Sequence, residues 1–171
     1  MVELKRPNVG LVASYLDFVA EMHQLGEEIH EGLILKAGES KEQFVDRILC
    51  TETSPGPGPG LVPATVYWGA ISEMVVGRIA LRHYLDDTLK EFGGHIGYEV
   101  RPSYRRRGVA KEMLRLLLET PKAKQIGRLL LTCAPDNEAS NKTIQANGGV
   151  LAKTAFVEKR QRETNYYWIQ L

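Results

Sequence analysis

Three consecutive arginines followed by small residues form the segment of this chain that is best suited to bind a ligand. The segment consists of Arg105, Arg106, Arg107, Gly108, Val109 and Ala110, between a strand-like run and an amphipathic helical pattern. Positive side chains at the first turn of a helix are unfavourable beside its positive dipole end unless an anion binds there. Gly108 and Ala110 let the main chain approach a phosphate with its free amide N–H groups. The segment therefore predicts a pyrophosphate site, and a basic surface turn is the alternative.

Hydrophobic periodicity predicts the elements that would position this segment. Strands are predicted at 2–4, 65–71, 74–84, 95–100, 129–133, 150–157 and 165–171. Helices are predicted from Pro7 to Gly26, after a capping box at Ser40, from Val109 to a limit at Pro121, and from a cap at Asp136 to 147–148. The resulting order is β-α-α-β-β-β-α-β-α-β-β.

The arginine segment and this order resemble the GNAT superfamily of N-acyltransferases. Its acyl-CoA signature, Gln/Arg-x-x-Gly-x-Gly/Ala, is similar to 105–110, and residues 98–102 resemble the end of its fourth strand. Asn137, Ser140 and Gly148 resemble its later Asn-x-x-Ala/Ser and Gly pattern, and the motifs together are similar to a bacterial branch of predicted acetyltransferases. The resemblance implies an α/β (α+β) fold with a mixed, mostly antiparallel central sheet and helices on both faces. It implies one acyl-CoA N-acyltransferase domain over 1–171.

The resemblance also implies acetyl-CoA as co-substrate, with its pantetheine arm between the fourth and fifth strands. Tyr98, Glu99 and Val100 would lie along that arm, and the backbone amides of 105–110 would hold the pyrophosphate. Asn137 and Ser140 would contact the pantetheine or the thiol end. For Asn137, a helix cap is an equal alternative.

The expected reaction is direct attack of a primary amine on the thioester, which requires a base and an acid. The resemblance implies a tyrosine acid and, in some members, a glutamate base at positions where this chain has Ile144 and Thr132. Glu99 and His95 are the remaining catalytic candidates; they lie on one face of a strand and could act through a shared water. A structural role is the alternative for His95. Weaker candidates are His83, Tyr166 and Tyr167.

Composition limits the possible partners. The 171 residues carry a formal charge of +1, with 43% hydrophobic and 25% charged residues, which argues against nucleic acid as a partner. The charged residues near the start argue against a signal peptide, and Pro55, Pro57, Pro59 and Pro63 interrupt the longest uncharged stretch. We therefore expect no membrane segment and a cytoplasmic location.

The chain offers little that resembles a metal or disulfide site. Cys50 and Cys133 are isolated and are predicted to be buried, and the histidines show no metal-binding spacing. We expect no metal.

The acceptor is predicted to be a small-molecule or peptide amine. The acidic residues Glu27, Glu28 and Glu31 could attract a cationic amine, or they could form a solvated surface. A catalytically silent acyl-CoA-binding or sensing module is the alternative function, and an arginine contact patch for protein or nucleic acid is a third. The final strands suggest a possible homodimer.

Overall fold

The computed structural model describes residues 1–27, 29–54, 56 and 58–171. Its strands are β1 (Glu3–Lys5), β2 (Ala64–Ile71), β3 (Met74–Arg82), β4 (Ile96–Val100), β5 (Arg128–Cys133), β6 (Val150–Val157) and β7 (Arg162–Gln170). Its helices are α1 (Val12–Gln24), α2 (Lys41–Leu49), α3 (Asp87–Glu91), α4 (Val109–Leu118), α5 (Pro121–Ile126) and α6 (Glu138–Gln145). The predicted α/β class and the predicted succession of longer elements are confirmed.

The strands form two antiparallel sheets rather than one continuous sheet. The first has the order β1-β2-β3-β4 and the second the order β5-β7-β6. The β2–β3 hairpin places Val66 opposite Ala80, and β4 continues this sheet by placing Glu99 opposite Arg78. Strand β7 lies between β5 and β6, so β4 and β5 are the edges at which the two sheets meet.

Helices cover both faces of the first sheet, as expected. On one face, α1 and α2 surround the fully buried Trp68, whose ring stacks on Tyr15 with 4.5 Å between the centroids. On the other face, α4 inserts Met113 and Leu117 among the buried side chains of β3, β5 and β7. Each fully buried side chain of this size contributes about 1.5–3 kcal/mol through removal of apolar surface from water. The second core includes Ile96, and Tyr98 and Val100 pack against it, so this core holds β4 in a fixed position beside α4.

Local signals explain where the helices begin. Ser40 accepts a hydrogen bond from the amide of Gln43, whose side chain bonds back to Ser40, so the predicted capping box is confirmed. Asn137, and not the predicted Asp136, caps α6. The short helices α3 and α5 were not predicted; Asp86 and Thr120 cap them. Pro121 follows the end of α4 and occupies the first turn of α5. Proline lacks an N–H group, and this costs nothing in the first turn because amides there have no partner within the helix.

The cysteines differ from the prediction that both are buried. Cys50 is exposed and Cys133 is half-buried, because Cys50 directly follows the last residue of α2 and Cys133 is the last residue of β5. Both ends lie near the surface. Pro55 and Pro57 of the predicted proline-rich loop lie outside the described residues. Within the described ranges, no helix is long and apolar enough to cross a membrane. The described histidine, cysteine and carboxylate side chains include no group of three or more that could hold a metal ion.

Candidate active site

Strands β4 and β5 are joined at one end and diverge toward the other. The amide of His95 donates to the carbonyl of Leu130 at 2.7 Å, and the amide of Leu130 donates to His95 Nδ1 at 2.9 Å. One step further, the amide of Gly93 donates to Thr132 Oγ1 at 2.8 Å. Beyond these bonds the two strands belong to different sheets, so a gap opens between β4 and the start of α6.

The arginine segment lies at the wide end of this gap. Gly108, at φ 77°, precedes α4, and no side chain in the described part of the chain caps the helix. A Cβ atom added to Gly108 would meet none of the described atoms within 4 Å. The first-turn amides of α4 therefore face open space, at the end of the helix that attracts anions. This arrangement fits a phosphate group.

The gap and the segment together form a cleft of ≈ 580 Å³. Its lining includes the predicted residues Tyr98, Glu99, Val100, Arg105, Arg106, Gly108, Val109, Ala110, Asn137 and Ser140. It also includes Glu27 of the predicted acidic group, and Met22, Tyr104, Ala139 and Thr143, which were not predicted. Two predicted residues, Arg107 and His95, are not among the side chains that line it. The structure thus brings most of the predicted residues to one elongated cleft.

Arg105 is held by an acidic residue instead of facing the cleft freely. Its Nη1 and Nη2 lie 2.6 and 2.7 Å from the two carboxylate oxygens of Glu27, and its Nε donates to the carbonyl of Val100 at 3.1 Å. The hydrogen bonds from Arg105 lower the pKa of Glu27. Of the predicted acidic group, Glu28 lies outside the described residues. This ion pair connects the segment that follows α1 to the arginine segment, so it positions the arginine segment, and the exposed Arg106 lines the cleft beside it.

Two hydroxyl groups meet in the middle of the cleft. Tyr98 Oη and Ser140 Oγ are 2.8 Å apart. Burial raises the pKa of Tyr98 to about 12, so this hydroxyl keeps its proton at neutral pH. Asn137 accepts a hydrogen bond from the amide of Ser140 at 3.1 Å, so it caps α6 as well as lining the cleft. The cap fixes Ser140 opposite Tyr98.

Glu99 carries the carboxylate at the inner end of the cleft. Its Oε1 lies 2.8 Å from Nη2 of Arg78, the residue directly opposite on β3. Its Oε2 is buried and has no hydrogen-bond partner among the described residues. A buried carboxylate oxygen without a partner costs on the order of 1–3 kcal/mol, so it is suited to accept a hydrogen bond or a proton from a ligand.

The geometry argues against a proton-relay role for His95. Its side chain is 6% exposed and its Nδ1 is occupied by the amide of Leu130. Burial, together with the charge of Arg82, lowers the pKa of His95 to about 4. The imidazole is therefore neutral and serves to join β4 to β5.

The weaker catalytic candidates are also engaged in structural bonds. Tyr166 Oη donates to the carbonyl of Glu91 at 2.5 Å, Tyr167 Oη donates to Asn141 at 2.6 Å, and His83 lies 2.9 Å from Thr65 Oγ1. Ile144 is buried in the core. Glu99 is therefore the catalytic candidate that the structure places in the cleft.

The family model of the acetyltransferase (GNAT) family matches residues 37–148 of this chain. The chain belongs to the GNAT acetyltransferase family. The match contains β4, the arginine segment and α6, which build the cleft. The predictions of the family, of an acetyltransferase and of acetyl-CoA as acyl donor are therefore confirmed.

Solved structures show the same GNAT fold over almost the whole chain. The microcin C7 self-immunity acetyltransferase MccE, solved with acetyl-CoA and AMP, is 14% identical, with a TM-score of 0.68 over 99% of this chain and 92% of that chain. The L7/L12 N-terminal serine acetyltransferase from Salmonella typhimurium is 17% identical, with a TM-score of 0.65 over 99% and 95%. The aminoglycoside acetyltransferase AAC(6')-Ib, solved with coenzyme A, is 13% identical, with a TM-score of 0.63 over 99% and 95%. No curated protein sequence matches the chain.

Sequence reasoning missed two charged residues of this GNAT site, Arg78 and Arg82. The two arginines interrupt an otherwise apolar strand at a spacing of four residues, which places them on one face of β3. Charged side chains on a buried strand are rare unless they are paired, so this spacing was a usable signal. Glu27 was predicted only as a member of an acidic group, and its pairing with Arg105 left no signal, because the two residues are 78 positions apart.

We expect Arg106 and Arg107 of this GNAT enzyme to differ in their effect on coenzyme A binding. Arg106 lines the cleft, whereas the guanidinium of Arg107 lies over the Tyr104 ring, 5.1 Å from its centroid. Loss of a charge-assisted bond of about 1.5–3 kcal/mol corresponds to a tenfold or larger rise in Kd. Titration calorimetry with coenzyme A should show this for Arg106→Ala and about a twofold change for Arg107→Ala. Equal effects of the two substitutions would contradict the assignment.

His95 should make folding stability depend on pH between 6.5 and 4. The folded protein holds this imidazole neutral with a pKa of about 4, whereas its ordinary value is 6.5. The unfolded chain binds the extra proton first, so stability is complete above pH 6.5 and falls as the pH drops toward 4. The free energy of unfolding of His95→Gln, measured in urea, should depend less on pH across this window than that of the wild type. Substitution of the exposed His23 by glutamine should leave the wild-type pH dependence unchanged. The same pH dependence of the free energy of unfolding in all three proteins would refute the contribution of His95.

Proposed function

We propose that this enzyme transfers the acetyl group of acetyl-CoA to a primary amine, with the thioester in the β4–β5 gap and the amine entering beside Glu99. The observation that carries the proposal is the position of Glu99. Its Oε2 has no partner among the described residues and ends a cleft that begins at a helix terminus that no described side chain caps. The pyrophosphate would contact the amides of 108–110 and the side chain of Arg106. The pantetheine would lie along Tyr98, Glu99 and Val100.

Glu99 supplies the base in this proposal. A primary amine is protonated at neutral pH and must lose a proton before its nitrogen can attack a carbonyl carbon. Oε2 of Glu99 can accept that proton directly or through one water, while Oε1 stays bonded to Arg78. Arg78 thereby fixes the carboxylate and keeps one oxygen directed at the amine.

Tyr98 and Ser140 support the leaving sulfur. As the C–N bond forms and the C–S bond breaks, negative charge passes to the sulfur, and a hydroxyl donor beside it stabilises that charge. Because burial raises the pKa of Tyr98 to about 12, its hydroxyl keeps its proton and acts as a hydrogen-bond donor. Either Tyr98 or Ser140 can be the donor in the hydrogen bond that joins their hydroxyl groups. Amide N–H groups of β4 that point away from β3 can bind the developing oxyanion.

Cys133 supports transfer without a covalent enzyme intermediate. Its Sγ lies 3.3 Å from Asn141 Oδ1, and burial raises its pKa to about 11. A thiol with this pKa is almost entirely protonated at neutral pH and is a poor nucleophile. Direct attack by the amine is therefore the favoured route.

Calorimetry with acetyl-CoA, followed by measurement of free thiol against a panel of amines, tests the proposed function. Micromolar binding and amine-dependent thiol release, with one acetylated amine formed per thiol, are expected. Binding without thiol release would favour the silent acyl-CoA-binding alternative. No binding of acetyl-CoA would contradict the cleft assignment.

Several finer points belong to the proposal. A single acyltransferase domain over 1–171 is supported by β1 pairing with β2 and β7 pairing with β5, which tie both ends of the chain to the sheets. A cytoplasmic location, a bacterial origin and a homodimer stay predictions.

A further inference from the structure

A second cavity lies on the inner side of the β4–β5 gap. It has a volume of ≈ 200 Å³ and is lined in part by Arg82, Gly97 and Thr132. It shares Tyr98, Glu99 and Ser140 with the large cleft, so the two spaces are adjacent. If acetyl-CoA occupies the large cleft as proposed above, this cavity is the space left for the acceptor beside Glu99.

Two arginines and one carboxylate lie in the lining of this cavity or directly beside it. Arg78, which is 7% exposed, and Arg82 contribute two positive charges, whereas Glu99 contributes one negative charge. Arg78 Nε is buried without a hydrogen-bond partner in the described part of the chain. The neutral His95 adds no charge. Asp86 is half-buried and its charge acts on Arg82, but its carboxylate accepts hydrogen bonds from the amides of Gly60 and Leu89 and it is outside the described lining of the cavity. An unbalanced positive charge near the interior is costly unless an anion binds beside it.

Arg82 is the arginine that faces the cavity. Its Nη1 donates to the carbonyls of Gly93 and Gly94 at 3.2 and 3.0 Å, which are neutral groups, whereas the carboxylates of Glu99 and Asp86 act on its charge from a longer distance. Burial and the charge of Arg78 lower the pKa of Arg82, a sign of the same electrostatic strain. The side-chain hydrogen bonds found for Arg82 among the described residues all come from Nη1.

Gly97 exposes the guanidinium of Arg82 to the cavity. A Cβ atom at Gly97 would lie 3.7 Å from Nη2 and 3.8 Å from Nη1 of Arg82. Any larger side chain at this position would therefore cover the arginine. The glycine leaves a passage from the cavity to the charged group.

We propose that the acceptor is a small amine that carries a carboxylate, an α-amino acid, with its carboxylate on Arg82 and its amine toward Glu99. Gly97, next to the guanidinium, and Glu99 are two residues apart on β4, about 6.5 Å along the strand. A cation and a carboxylate at such a spacing complement the opposite charges of an amino acid. The carboxylate gives the guanidinium of Arg82 an anion in direct contact, where the described bonds provide only carbonyl acceptors, and a volume of ≈ 200 Å³ accommodates a small amino acid.

The test compares amino acids with their amides as acceptors. Initial rates of thiol release are measured for alanine, serine, methionine and lysine, and for the α-amide of each, at saturating acetyl-CoA. A charge-assisted contact of about 1.5–3 kcal/mol predicts a kcat/KM roughly 10- to 100-fold higher for the acid of at least one pair. Arg82→Gln should bring that ratio close to one, whereas the exposed Arg128→Gln should leave it unchanged.

A second variant guards against loss of folding in Arg82→Gln, because Arg82 also holds the turn at 93–94. Gly97→Val keeps Arg82 and its two hydrogen bonds but covers the guanidinium, and it should lower the same ratio. Both variants should bind coenzyme A like the wild type, as measured by calorimetry.

Each outcome decides between the two proposals. Amides that react as well as acids in every pair would overturn the carboxylate site and leave the proposed acetyl transfer intact. If no compound reacts, the affinities of N-acetylalanine and N-acetylalaninamide for the complex of the enzyme with coenzyme A are compared. Tighter binding of the acid supports the carboxylate site, and equal affinities overturn it. Failure to bind acetyl-CoA concerns the proposed function alone.

Discussion

Replacement of Glu99 by glutamine should lower kcat by about 100- to 10,000-fold, the range that a positioned general base contributes. The substitution keeps the size of the side chain and its ability to bond to Arg78, but it removes the oxygen that accepts a proton. The Kd for coenzyme A should change by about twofold or less, because the phosphate contacts lie at the other end of the cleft. Steady-state kinetics together with calorimetry would separate the two effects.

Glu21 offers a matched control for this experiment. Like Glu99, it is paired with a mostly buried arginine: Oε1 lies 2.7 Å from Nε of Arg101, and its side chain is 26% exposed, compared with 30% for Glu99. Glu21 is outside the described lining of both cavities. Glu21→Gln should therefore keep kcat near the wild-type value. A Glu99→Gln enzyme with kcat within threefold of the wild type would exclude Glu99 as the base.

Gly94→Ala should produce the largest loss of stability of any single methyl group added near the site. A Cβ atom at Gly94 would lie 2.4 Å from the carbonyl oxygen of Leu130 and 3.3 Å from the Cα of Leu131. Gly94 also has a φ of 60°, where an alanine costs roughly 1–2 kcal/mol. Relief of the clash requires β4 to move from β5, which breaks the His95–Leu130 bonds at about 0.5–1.5 kcal/mol each.

The sum of these terms is about 2–5 kcal/mol, which corresponds to a fall in Tm of roughly 5–20 °C for a chain of this size. Gly38→Ala provides the control, because Gly38 has a φ of 78° and nothing within 4 Å of the added atom. It should show only the backbone cost. If the two variants have the same Tm, the close approach of Gly94 to Leu130 does not fix the narrow end of the gap.

The sequence was most informative where function and local structure depend on the same short segment. The uncapped start of α4, its glycine and its arginines could be predicted because dipole, backbone freedom and charge act within one turn. The α2 capping box could be predicted for the same reason. Helices α3 and α5 escaped prediction because five and six residues are too few to show a helical period.

Contacts between distant segments could not be predicted from local patterns. The division into two sheets depends on whether β4 pairs with β5, and the hydrophobic pattern of a strand does not specify its neighbour. The same limit applies to Arg105, predicted as a phosphate ligand, whose guanidinium is held by Glu27. His95 and Glu99 share a strand face, yet only the structure shows that Nδ1 of His95 is occupied by Leu130 and that Oε2 of Glu99 is free of partners among the described residues.

Initial-rate kinetics with both substrates varied would test direct transfer, the central claim, most directly. Because Glu99 and the thioester would share one continuous space, amine and acetyl-CoA must be bound together before the acetyl group moves. Double-reciprocal plots at several fixed amine concentrations should then intersect, and intact mass spectrometry should find no acetylated enzyme after incubation with acetyl-CoA alone. Parallel lines, together with an acetylated enzyme that passes its acetyl group to an added amine, would contradict the account.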